Sequence, residues 1–472
     1  MALPEVNTET ASSVDSAVFD LKAIIDSEAE PMELLEQYVN AALMDVLKVL
    51  GFNVKYVRGV GPYLYDENDN RYIDCVGGFG VFSCGRNHPV IRDAIKQAMD
   101  LDLANLPKFG ATTLAGVLAK QLLDIAPGNL DKVYFCNSGT EGVETAMKYA
   151  RSATNRERFV YCEKAYHGLT YGALSINGGD EFREGFGKLL DDVTRIPFND
   201  LTALEQELAK EDVAGFIVEP IQGKGVVVPD DDYLPGAAEL CRKHGTIFVA
   251  DEVQTGFGRT GRMFACEHWG VEPDILVVSK ALSGGYVPVA AVMSKEWIHK
   301  SVFSEMDKCM VHSTTFTQND LSMTAGLATL HVLREEKIVE NSAAMGELLL
   351  SKLSEFVEEF DFVKEVRGKG LMIVIEFGAP KNMALKMGWK MLAPMNLFPQ
   401  AVLIPLLKEH HVLAQVAGHH QDNIKLLPPL VLSEQDVNDL VDALRAAIAP
   451  CHKFPGPVWE VGKQLGRYSI GR

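Results

Sequence analysis

Two short apolar runs, each followed by a charged side chain, constrain the fold of this chain most strongly. The first run, Thr246-Ile247-Phe248-Val249-Ala250, ends on Asp251, and the second, Ile275-Leu276-Val277-Val278, leads through Ser279 to Lys280. Uninterrupted apolar runs of this length are typical of strands that are buried in a parallel sheet. Because the carboxyl ends of parallel strands meet at one edge, the sequence predicts an acid and an amine together where open α/β sheets bind ligands.

A predicted anion site lies upstream of these runs. The strand-like run Lys132-Val133-Tyr134-Phe135-Cys136 is followed by Asn137-Ser138-Gly139-Thr140-Glu141 and then by a helical pattern over residues 142–152. Small polar residues at a helix start leave backbone N–H groups free to bind an anion, and the helix dipole supports this. An amine, an acid and an anion site together indicate pyridoxal phosphate chemistry, in which a lysine forms a Schiff base and an acid holds the pyridine proton.

Each of these features has a simpler explanation when it is taken alone. A lysine after a strand is usually a solvated loop charge, and an aspartate there usually caps a helix or forms a turn. The spacing Gly256-x-Gly258-x-x-Gly261, with Asp274 downstream, also matches a dinucleotide-binding motif. Because the preceding strand ends early, at Asp251, and no amphipathic helix pattern follows Gly261, a nicotinamide enzyme is disfavoured.

Composition limits the possible partners and the compartment. A chain of 472 residues that is 47% hydrophobic can bury two cores, as a two-domain globular enzyme does. A net charge of −19 argues against nucleic acid or an anionic membrane as a partner. No apolar stretch is long enough to span a membrane and the N-terminus shows no leader pattern, so a cytoplasmic location is expected.

Cysteine and histidine spacing indicate neither a disulfide framework nor a metal site. The eight cysteines show no Cys-x-x-Cys spacing, and reduced core thiols are therefore expected. The doublets His410-His411 and His419-His420 place neighbouring side chains on different faces of a helix or strand. We therefore expect no metal.

The pattern along the chain predicts an α/β organisation. Residues 31–50 have a helical pattern, and residues 56–75 alternate like a hairpin whose turn is residues 66–70. The predicted domains are an N-terminal extension with part of a small domain (1–86), a large cofactor-binding domain (87–330), a C-terminal small domain (331–450) and a tail (451–472). Within the small domain we expect strands at 371–377, near 412 and at 424–427, and a helix at 433–448. The first residues, 1 to about 30, are expected to be a frayed extension, and the tail, with Trp459 and Tyr468, is either loose or packed on a neighbour.

These segments resemble the class III aminotransferases, which include the ornithine, acetylornithine and ω-type enzymes, over nearly all of residues 56–448. The family's central pattern is Asp251-Glu252-Val253-Gln254-Thr255-Gly256-Phe257-Gly258-Arg259-Thr260-Gly261 followed by Pro273-Asp274-Ile275 and Ser279-Lys280-Ala281-Leu282. Segments similar to the putrescine aminotransferase branch are Cys75-Val76-Gly77-Gly78-Phe79-Gly80-Val81-Phe82, His312-Ser313-Thr314-Thr315-Phe316 and Arg367-Gly368-Lys369-Gly370. The resemblance implies fold type I of the pyridoxal-phosphate-dependent transferases, with a large, doubly wound, mostly parallel-sheet domain and a smaller α/β domain.

The resemblance also assigns roles to individual residues. It makes Lys280 the Schiff-base lysine and Asp251 the partner of the pyridine nitrogen. Around the cofactor ring it places Tyr166 on one face and Val253 beneath the other, Gln254 at the phenolic oxygen, and His167 and Glu219 nearby. The phosphate would be held by Ser138, Gly139 and Thr140, with Thr315 reaching it from a second subunit, which implies a homodimer. The substrate side would be formed by Phe79, Val81, Phe82 and Lys425.

Two segments depart from the family pattern. Near the C-terminus the family often has Ile-Arg-x-x-Pro-Pro-Leu, whose arginine holds a substrate carboxylate and is neutralised by the glutamate of Val-Glu-Pro. Here Glu219 is present, but the basic residue is Lys425, which offers a point charge instead of a bidentate fork. After Phe316, Thr317-Gln318-Asn319-Asp320 replaces the usual Gly-Gly-Asn-Pro, so a reshaped site entrance is expected.

The expected reaction is a transamination from a terminal amine or diamine to a 2-oxo acid such as 2-oxoglutarate or pyruvate. The apolar neighbourhood of Phe79, Val81, Phe82 and Tyr166 favours such a donor, and Lys425 weakens recognition of an α-amino acid. Alternatives are an ornithine or acetylornithine aminotransferase, and an aminomutase, decarboxylase or lyase that uses the same cofactor. A cofactor-binding regulator without catalysis is disfavoured because all the catalytic residue types are present.

Overall fold

The computed structural model describes residues 19–25, 31–107, 109–381, 386, 389, 398–418 and 422–452. Its contacts divide the chain into two units, Met1–Lys55 and Tyr56–Arg472. The predictions for residues 1–18, for His419-His420 and for the tail with Trp459 and Tyr468 fall outside the described residues.

The first unit contains the helices α1 (Leu21–Ile25), α2 (Pro31–Tyr38) and α3 (Ala41–Leu50). The helical pattern expected over residues 31–50 is present, but it is divided into two helices near Asn40. Asn40 leaves the helical conformation with φ −156° and ψ 93°, and its side chain accepts a hydrogen bond from the N–H of Leu43. Asn40 therefore starts a new helix, because a side chain that caps a helix N-terminus competes with continuation of the previous turn.

A seven-stranded sheet forms the centre of the second unit. The strands of this unit are β1 (Tyr56–Val60), β2 (Tyr63–Asp66), β3 (Arg71–Asp74), β4 (Lys132–Cys136), β5 (Arg158–Cys162), β6 (Val193–Ile196), β7 (Val213–Val218), β8 (Ile247–Asp251), β9 (Ile275–Val278), β10 (Ala290–Ser294), β11 (Val363–Lys369), β12 (Met372–Phe377), β13 (Val412–Leu413), β14 (Gln415–Ala417) and β15 (Asn423–Leu426). The large sheet has the order β4-β10-β9-β8-β7-β5-β6. Only β10 pairs antiparallel with its neighbours, so the predicted doubly wound, mostly parallel sheet is confirmed.

Two smaller sheets accompany the large one. In the first, β1-β2-β3-β13, the predicted hairpin over residues 56–75 is extended by a further turn at Gly61-Pro62, which separates β1 from β2. The parallel pairing of Val412 with Ile73 adds β13 to it. The second sheet, β11-β12-β15-β14, contains the predicted strands at 371–377 and 424–427 together with β11, which was not predicted. The domain boundaries at residues 86, 330 and 450 stay a prediction.

Helices cover the strands and connect them. The described helices of the second unit are α4 (Gly77–Gly80), α5 (Pro89–Asp100), α6 (Thr113–Ile125), α7 (Gly139–Thr154), α8 (Tyr171–Ser175), α9 (Leu201–Leu208), α10 (Tyr233–His244), α11 (Glu296–Val302), α12 (Asp320–Glu335), α13 (Ile338–Ser354), α14 (Phe356–Glu359), α15 (Phe398–Lys408) and α16 (Glu434–Ile448). α7 begins at Gly139 and not at residue 142, because the Ser138 side chain caps its first turn. Apolar side chains of α7 and α11, such as Met147 and Ile298, pack on the large sheet and form a core with it.

The described residues show two further general properties. No helix among them is both long enough and apolar enough to cross a membrane. All eight cysteines lie within the described residues and are free, and each of them except Cys309 is buried.

The helical glycines Gly346 and Gly116 differ in the space available for a side chain. This difference gives a test of the packing beneath the candidate site. A Cβ at Gly346 in α13 would overlap the backbone of Gly370, whose neighbour Leu371 donates a hydrogen bond to Arg259 O in the loop after β8. A Cβ at Gly116 in α6 would meet nothing within 4 Å. We expect Gly346→Ala to lower the free energy of unfolding by about 1–3 kcal/mol. Gly116→Ala should raise it by about 0.5–1 kcal/mol.

Chemical denaturation followed by circular dichroism measures both changes at equal protein concentration. A Gly346→Ala variant at least as stable as the wild type would contradict the close approach of α13 to the Gly370 turn.

Candidate active site

The parallel pairing of β8 with β9 brings the predicted acid and amine to one edge of the large sheet. Asp251 pairs in register with Val277, and Lys280 follows β9 after Ser279. Lys280 has a φ of 42°, which is the left-handed region that non-glycine residues rarely adopt. Such strain is often kept at functional sites because the surrounding structure imposes it.

The Lys280 amine is not paired. It makes no hydrogen bond or ion pair with the residues that the structure describes. Burial lowers its pKa, although the charges of Asp251 and Glu219 act in the opposite direction. A lysine with a lowered pKa and an unengaged nitrogen is suited to act as a nucleophile and as a base.

Asp251 is buried and held by two hydrogen bonds. Its Oδ1 accepts from the N–H of Val253 at 3.1 Å, and its Oδ2 lies 2.8 Å from His167 Nδ1. Burial alone would lower the pKa of His167, but the hydrogen bond to Asp251 and the charges of Asp251 and Glu219 raise it. Each carboxylate oxygen has a second lone pair, so Asp251 can accept one more proton donor.

The predicted anion site lies at the start of α7. The N–H groups of Gly139 and Thr140 lie in the first turn, where a helix has no internal acceptors for them. A Cβ at Gly139 would lie 2.7 Å from Val253 Cγ1, so the helix start packs directly on the segment after Asp251. The hydroxyls of Thr140 and Thr170 are 2.7 Å apart, which fixes the Thr140 side chain. This end of the sheet therefore offers backbone donors close to the acid.

Tyr166 and Val253 lie near this edge as predicted. Tyr166 follows β5, is half-buried, and its ring makes an edge contact with Phe182 at 5.4 Å between centroids. Burial and the charge of Glu219 raise the pKa of Tyr166. Val253 is half-buried and packs against the core of the large sheet. Both side chains are thereby held by neighbours.

Gln254 and Lys425 are bonded to each other. Lys425 Nζ donates to Gln254 Oε1 at 2.7 Å and also to the carbonyl of Gly223. Gln254 Nε2 donates to the carbonyl of Phe79 at 3.1 Å. Burial and the charge of Lys280 lower the pKa of Lys425 to about 7. The basic residue that replaces the family arginine is thus directed at an amide and a carbonyl.

Glu219 follows β7 and is buried. Its Oε2 accepts from the N–H of Gly223 at 3.2 Å, and no lysine, arginine or histidine nitrogen among the described residues lies within ion-pair distance of it. Burial and the charge of Asp251 raise the pKa of Glu219 to about 7, against the opposing charges of His167 and Lys425.

The predicted substrate residues other than Lys425 belong to the glycine-rich turn α4 or follow it. Gly77, Gly78, Phe79 and Gly80 all have positive φ. Phe79 is 61% exposed, whereas Val81 and Phe82 are half-buried. Phe82 lies under the Arg86 guanidinium at 4.0 Å and against Gly285 of the turn after Lys280. Their contact with a substrate stays a prediction.

Thr315 is exposed on the chain. Its neighbour Thr314 accepts a hydrogen bond from Asn137 Nδ2 at 2.8 Å, which holds this loop beside the start of α7. In the segment that departs from the family pattern, Gln318 has a φ of 63° and Asn319 caps α12. The contribution of Thr315 to a second subunit and the reshaped entrance stay predictions.

Comparison with known proteins identifies the family. The model of the family described as aminotransferase class-III matches residues 47–448. The chain belongs to this family. It is 32% identical to the aminotransferase PigE of Serratia sp. (strain ATCC 39006), and the match covers 93% of this chain and 56% of PigE. The chain therefore spans little more than half the length of that relative.

Solved structures of class III aminotransferases are similar throughout. The ornithine aminotransferase of Toxoplasma gondii ME49 is 28% identical, with a TM-score of 0.78, and the match covers 89% of this chain and 96% of that one. A PLP-bound amine transaminase from an uncultivated Pseudomonas species is 30% identical, with a TM-score of 0.76 and coverages of 84% and 95%. The predicted family, fold type I and the cofactor pyridoxal 5'-phosphate are confirmed.

The residues present fit this cofactor. Lys280 provides an unpaired amine for its aldehyde, and Asp251 retains acceptor capacity for its ring nitrogen. The first turn of α7 provides N–H groups for its phosphate. Gln254 Nε2 carries a second N–H beyond the one donated to Phe79, which is available for the phenolic oxygen.

Three features of the site were not predicted from the sequence. The contact of His167 with Asp251 was missed, although the resemblance placed His167 near the cofactor ring. The role of Gly223 was also missed; it lies between Glu219, Gln254 and Lys425. Arg259 is fully buried, and its Nη1 donates to the carbonyls of Leu371 and Pro428. The resemblance gave a signal for His167, which it placed near the ring, and for Arg259, which lies in the central family pattern, but none for Gly223.

Removing the His167 ring should expose how far Asp251 depends on it. His167→Leu leaves a buried carboxylate with one neutral donor, so it should lower the free energy of unfolding by about 1–3 kcal/mol and accelerate cofactor release. His167→Asn has nearly the same shape as His167→Leu and keeps a donor near the Nδ1 position, so it should lose less.

The pH dependence provides a second measurement. Because the pKa of His167 is raised on folding, its charged form stabilises the folded state fully below its unfolded pKa of about 6.5 and less as the pH rises through the folded value. The stability difference between wild type and His167→Asn should therefore shrink as the pH rises above about 6.5. Equal stability of the Leu and Asn variants at pH 6 would contradict this role.

Proposed function

We propose that this chain is an aminotransferase that moves the amino group of a terminal amine or diamine to a 2-oxo acid such as 2-oxoglutarate or pyruvate. The observation that carries the proposal is the unpaired Lys280 amine at the same sheet edge as the Asp251–His167 pair. Family membership supports the reaction class. The choice of a terminal amine or diamine as donor is supported by the hydrogen bonds of Lys425 to Gln254 and Gly223.

Each catalytic side chain has a defined task in this proposal. Pyridoxal phosphate, when bound, supplies an aldehyde that carries the amino group and a ring that accepts electrons from the substrate carbon. Asp251 would hold the proton of the ring nitrogen, and His167 orients Asp251 through the 2.8 Å contact. Lys280 Nζ would act as the base that takes the proton from the substrate carbon next to the amine and as the acid that returns it.

Binding of the cofactor is assigned to the residues around this edge. Ser138, Gly139 and Thr140 would hold the phosphate, because they stand at the start of α7. Tyr166 and Val253 would enclose the ring, and the free N–H of Gln254 Nε2 would bind the phenolic oxygen. A homodimer with Thr315 reaching the second subunit's phosphate is part of the proposal, which is consistent with the exposure of Thr315 on the single chain.

The donor preference is derived from Lys425. An arginine fork holds a carboxylate with two parallel charge-assisted bonds, whereas a lysine does not. Here two N–H groups of Lys425 already bind Gln254 and Gly223. A site with Lys425 should therefore bind the carboxylate of an α-amino acid more weakly than a site with the family arginine. The binding of donors without an α-carboxylate should not be affected. Ornithine and acetylornithine remain the alternative donors, because an ornithine aminotransferase is among the similar structures.

We also propose a cytosolic location. The support is the set of free cysteines, all but one of them buried, because reduced thiols are the usual state in a reducing compartment.

Replacing the catalytic lysine should abolish turnover without removing the cofactor. Lys280→Ala should retain cofactor bound at the phosphate and ring, but should lose the absorbance of cofactor joined to lysine and at least about 10³-fold in kcat. The control Lys300→Ala removes an exposed lysine on α11 and should behave as wild type. Wild-type turnover by Lys280→Ala would contradict the assignment.

Steady-state kinetics with two donor classes tests the substrate. We expect kcat/KM for butane-1,4-diamine or an ω-amine to exceed that for ornithine and acetylornithine, with 2-oxoglutarate or pyruvate as acceptor. Lys425→Arg should shift the ratio toward the amino acids by roughly tenfold, because it restores a bidentate carboxylate partner. Lys408→Arg, an exposed position on α15, is the control. A wild-type preference for ornithine would overturn the donor assignment and leave the reaction class in place.

A further inference from the structure

Glu219 is a buried acid of the candidate active site whose charge is not neutralised by an ion pair. Its only hydrogen bond from a described residue is the 3.2 Å contact from the N–H of Gly223. The charged and titratable groups that act on it or are influenced by it are His167, Asp251, Lys280, Lys425, Tyr166 and Cys162. Of these cations, His167 is bonded to Asp251 and Lys280 is the reacting amine.

Lys425 is the remaining cation, but the hydrogen bonds of its amine go to groups other than Glu219. Its Nζ donates to Gln254 Oε1 and to Gly223 O. A Cβ at Gly223 would lie 2.5 Å from Gln254 Oε1 and 3.4 Å from Glu219 Oε1, so these oxygens converge on the same small space. Lys425 therefore lies close to Glu219 without forming an ion pair with it.

We propose that Glu219 binds the distal ammonium of a diamine donor, so that the preferred substrates of this chain are α,ω-diamines and not simple alkylamines. The inference rests on the proposed aminotransferase function and makes its donor more specific. A primary ammonium is bound most strongly by an anionic oxygen that no protein cation already holds, and Glu219 provides one at the sheet edge where Lys280 lies. A simple alkylamine places a methyl group there and leaves the buried acid unpaired, which is unfavourable.

Protonation of Glu219 should control this recognition, together with the charge of Lys425, whose pKa of about 7 lies in the same range and whose loss of charge at higher pH acts in the same direction. Burial raises the pKa of Glu219 to about 7, so the carboxylate is mostly anionic at pH 8 and mostly protonated at pH 6. The advantage of a diamine should therefore be largest above pH 7 and should decline as the pH falls through it. This dependence can be measured on the unmodified enzyme.

The test uses two donors of equal length. Butane-1,4-diamine and pentan-1-amine differ only in an ammonium or a methyl group at the distal end. Each is mixed with the holoenzyme, and the change in cofactor absorbance gives the apparent dissociation constant and the rate constant of the first half-reaction. We expect the diamine to have the lower dissociation constant by about tenfold at pH 8, the amount expected from one charge-assisted hydrogen bond, and a much smaller advantage at pH 6.

Matched variants separate Glu219 from a general charge effect. Glu219→Gln keeps the shape of the side chain and should reduce the ratio of the two dissociation constants to about one at pH 8. Glu163→Gln removes the same charge from an exposed position just after β5 and should keep the wild-type ratio. A ratio that Glu219→Gln leaves unchanged would overturn the inference.

The outcomes also distinguish this inference from the proposed function. If pentan-1-amine reacts as well as the diamine at pH 8, Glu219 does not select a second ammonium, but an amine aminotransferase remains established. If neither amine changes the cofactor absorbance while ornithine or acetylornithine does, the amine donor itself is wrong. A diamine preference that is equal at pH 6 and pH 8 would exclude Glu219 as the titrating group.

Discussion

The parallel pairing of β8 with β9 is the constraint on which the rest of the site depends. β8 and β9 are buried along their whole length, so a shift in their register would expose apolar side chains or bury polar ones. In the observed register Asp251 lies opposite Val277, and Lys280 follows at the same edge. Because β10 alone is reversed, the strands that precede Ser138, Tyr166 and Glu219 end at this edge as well. One sheet edge therefore supplies the amine, the acid and the anion-binding amides.

The site keeps some buried charges paired and others unpaired. Asp251 is held in place by hydrogen bonds from His167 and from a backbone N–H. Lys280 and Glu219 lack ion-pair partners among the described residues, and burial moves their pKa values in opposite directions, down for the amine and up for the acid. Unpaired buried groups reduce stability, and such groups are concentrated where ligands bind. Asp251 is thus held in place by its hydrogen bonds, whereas Lys280 and Glu219 have no ion pair among the described residues that a substrate would have to break.

The sequence predicted the elements whose signal is local and missed those that depend on distant partners. β4, β8 and β9 were predicted because buried parallel strands are continuous apolar runs. The break at Asn40 and the strand β11 were missed, since a capping side chain and a half-exposed strand leave the helical or apolar pattern almost unchanged. At the site, the resemblance indicated Asp251 and Lys280, but not the bond from His167 to Asp251. That bond joins residues far apart in sequence and has no local signature.

Lys425 comes from a different sheet from Asp251, so the donor preference proposed for Lys425 would be set apart from the proposed chemistry. It lies on β15, in the sheet β11-β12-β15-β14, and reaches Gln254 only because Gly223 has no side chain that would fill the same space. A side chain at position 223 would overlap Gln254 Oε1 and would lie next to Glu219 Oε1. The glycine therefore leaves Gln254 Oε1 free to accept the hydrogen bond from Lys425. Donor preference in such a site can change through β15 or the loop after β7 while the edge formed by β8 and β9 stays the same.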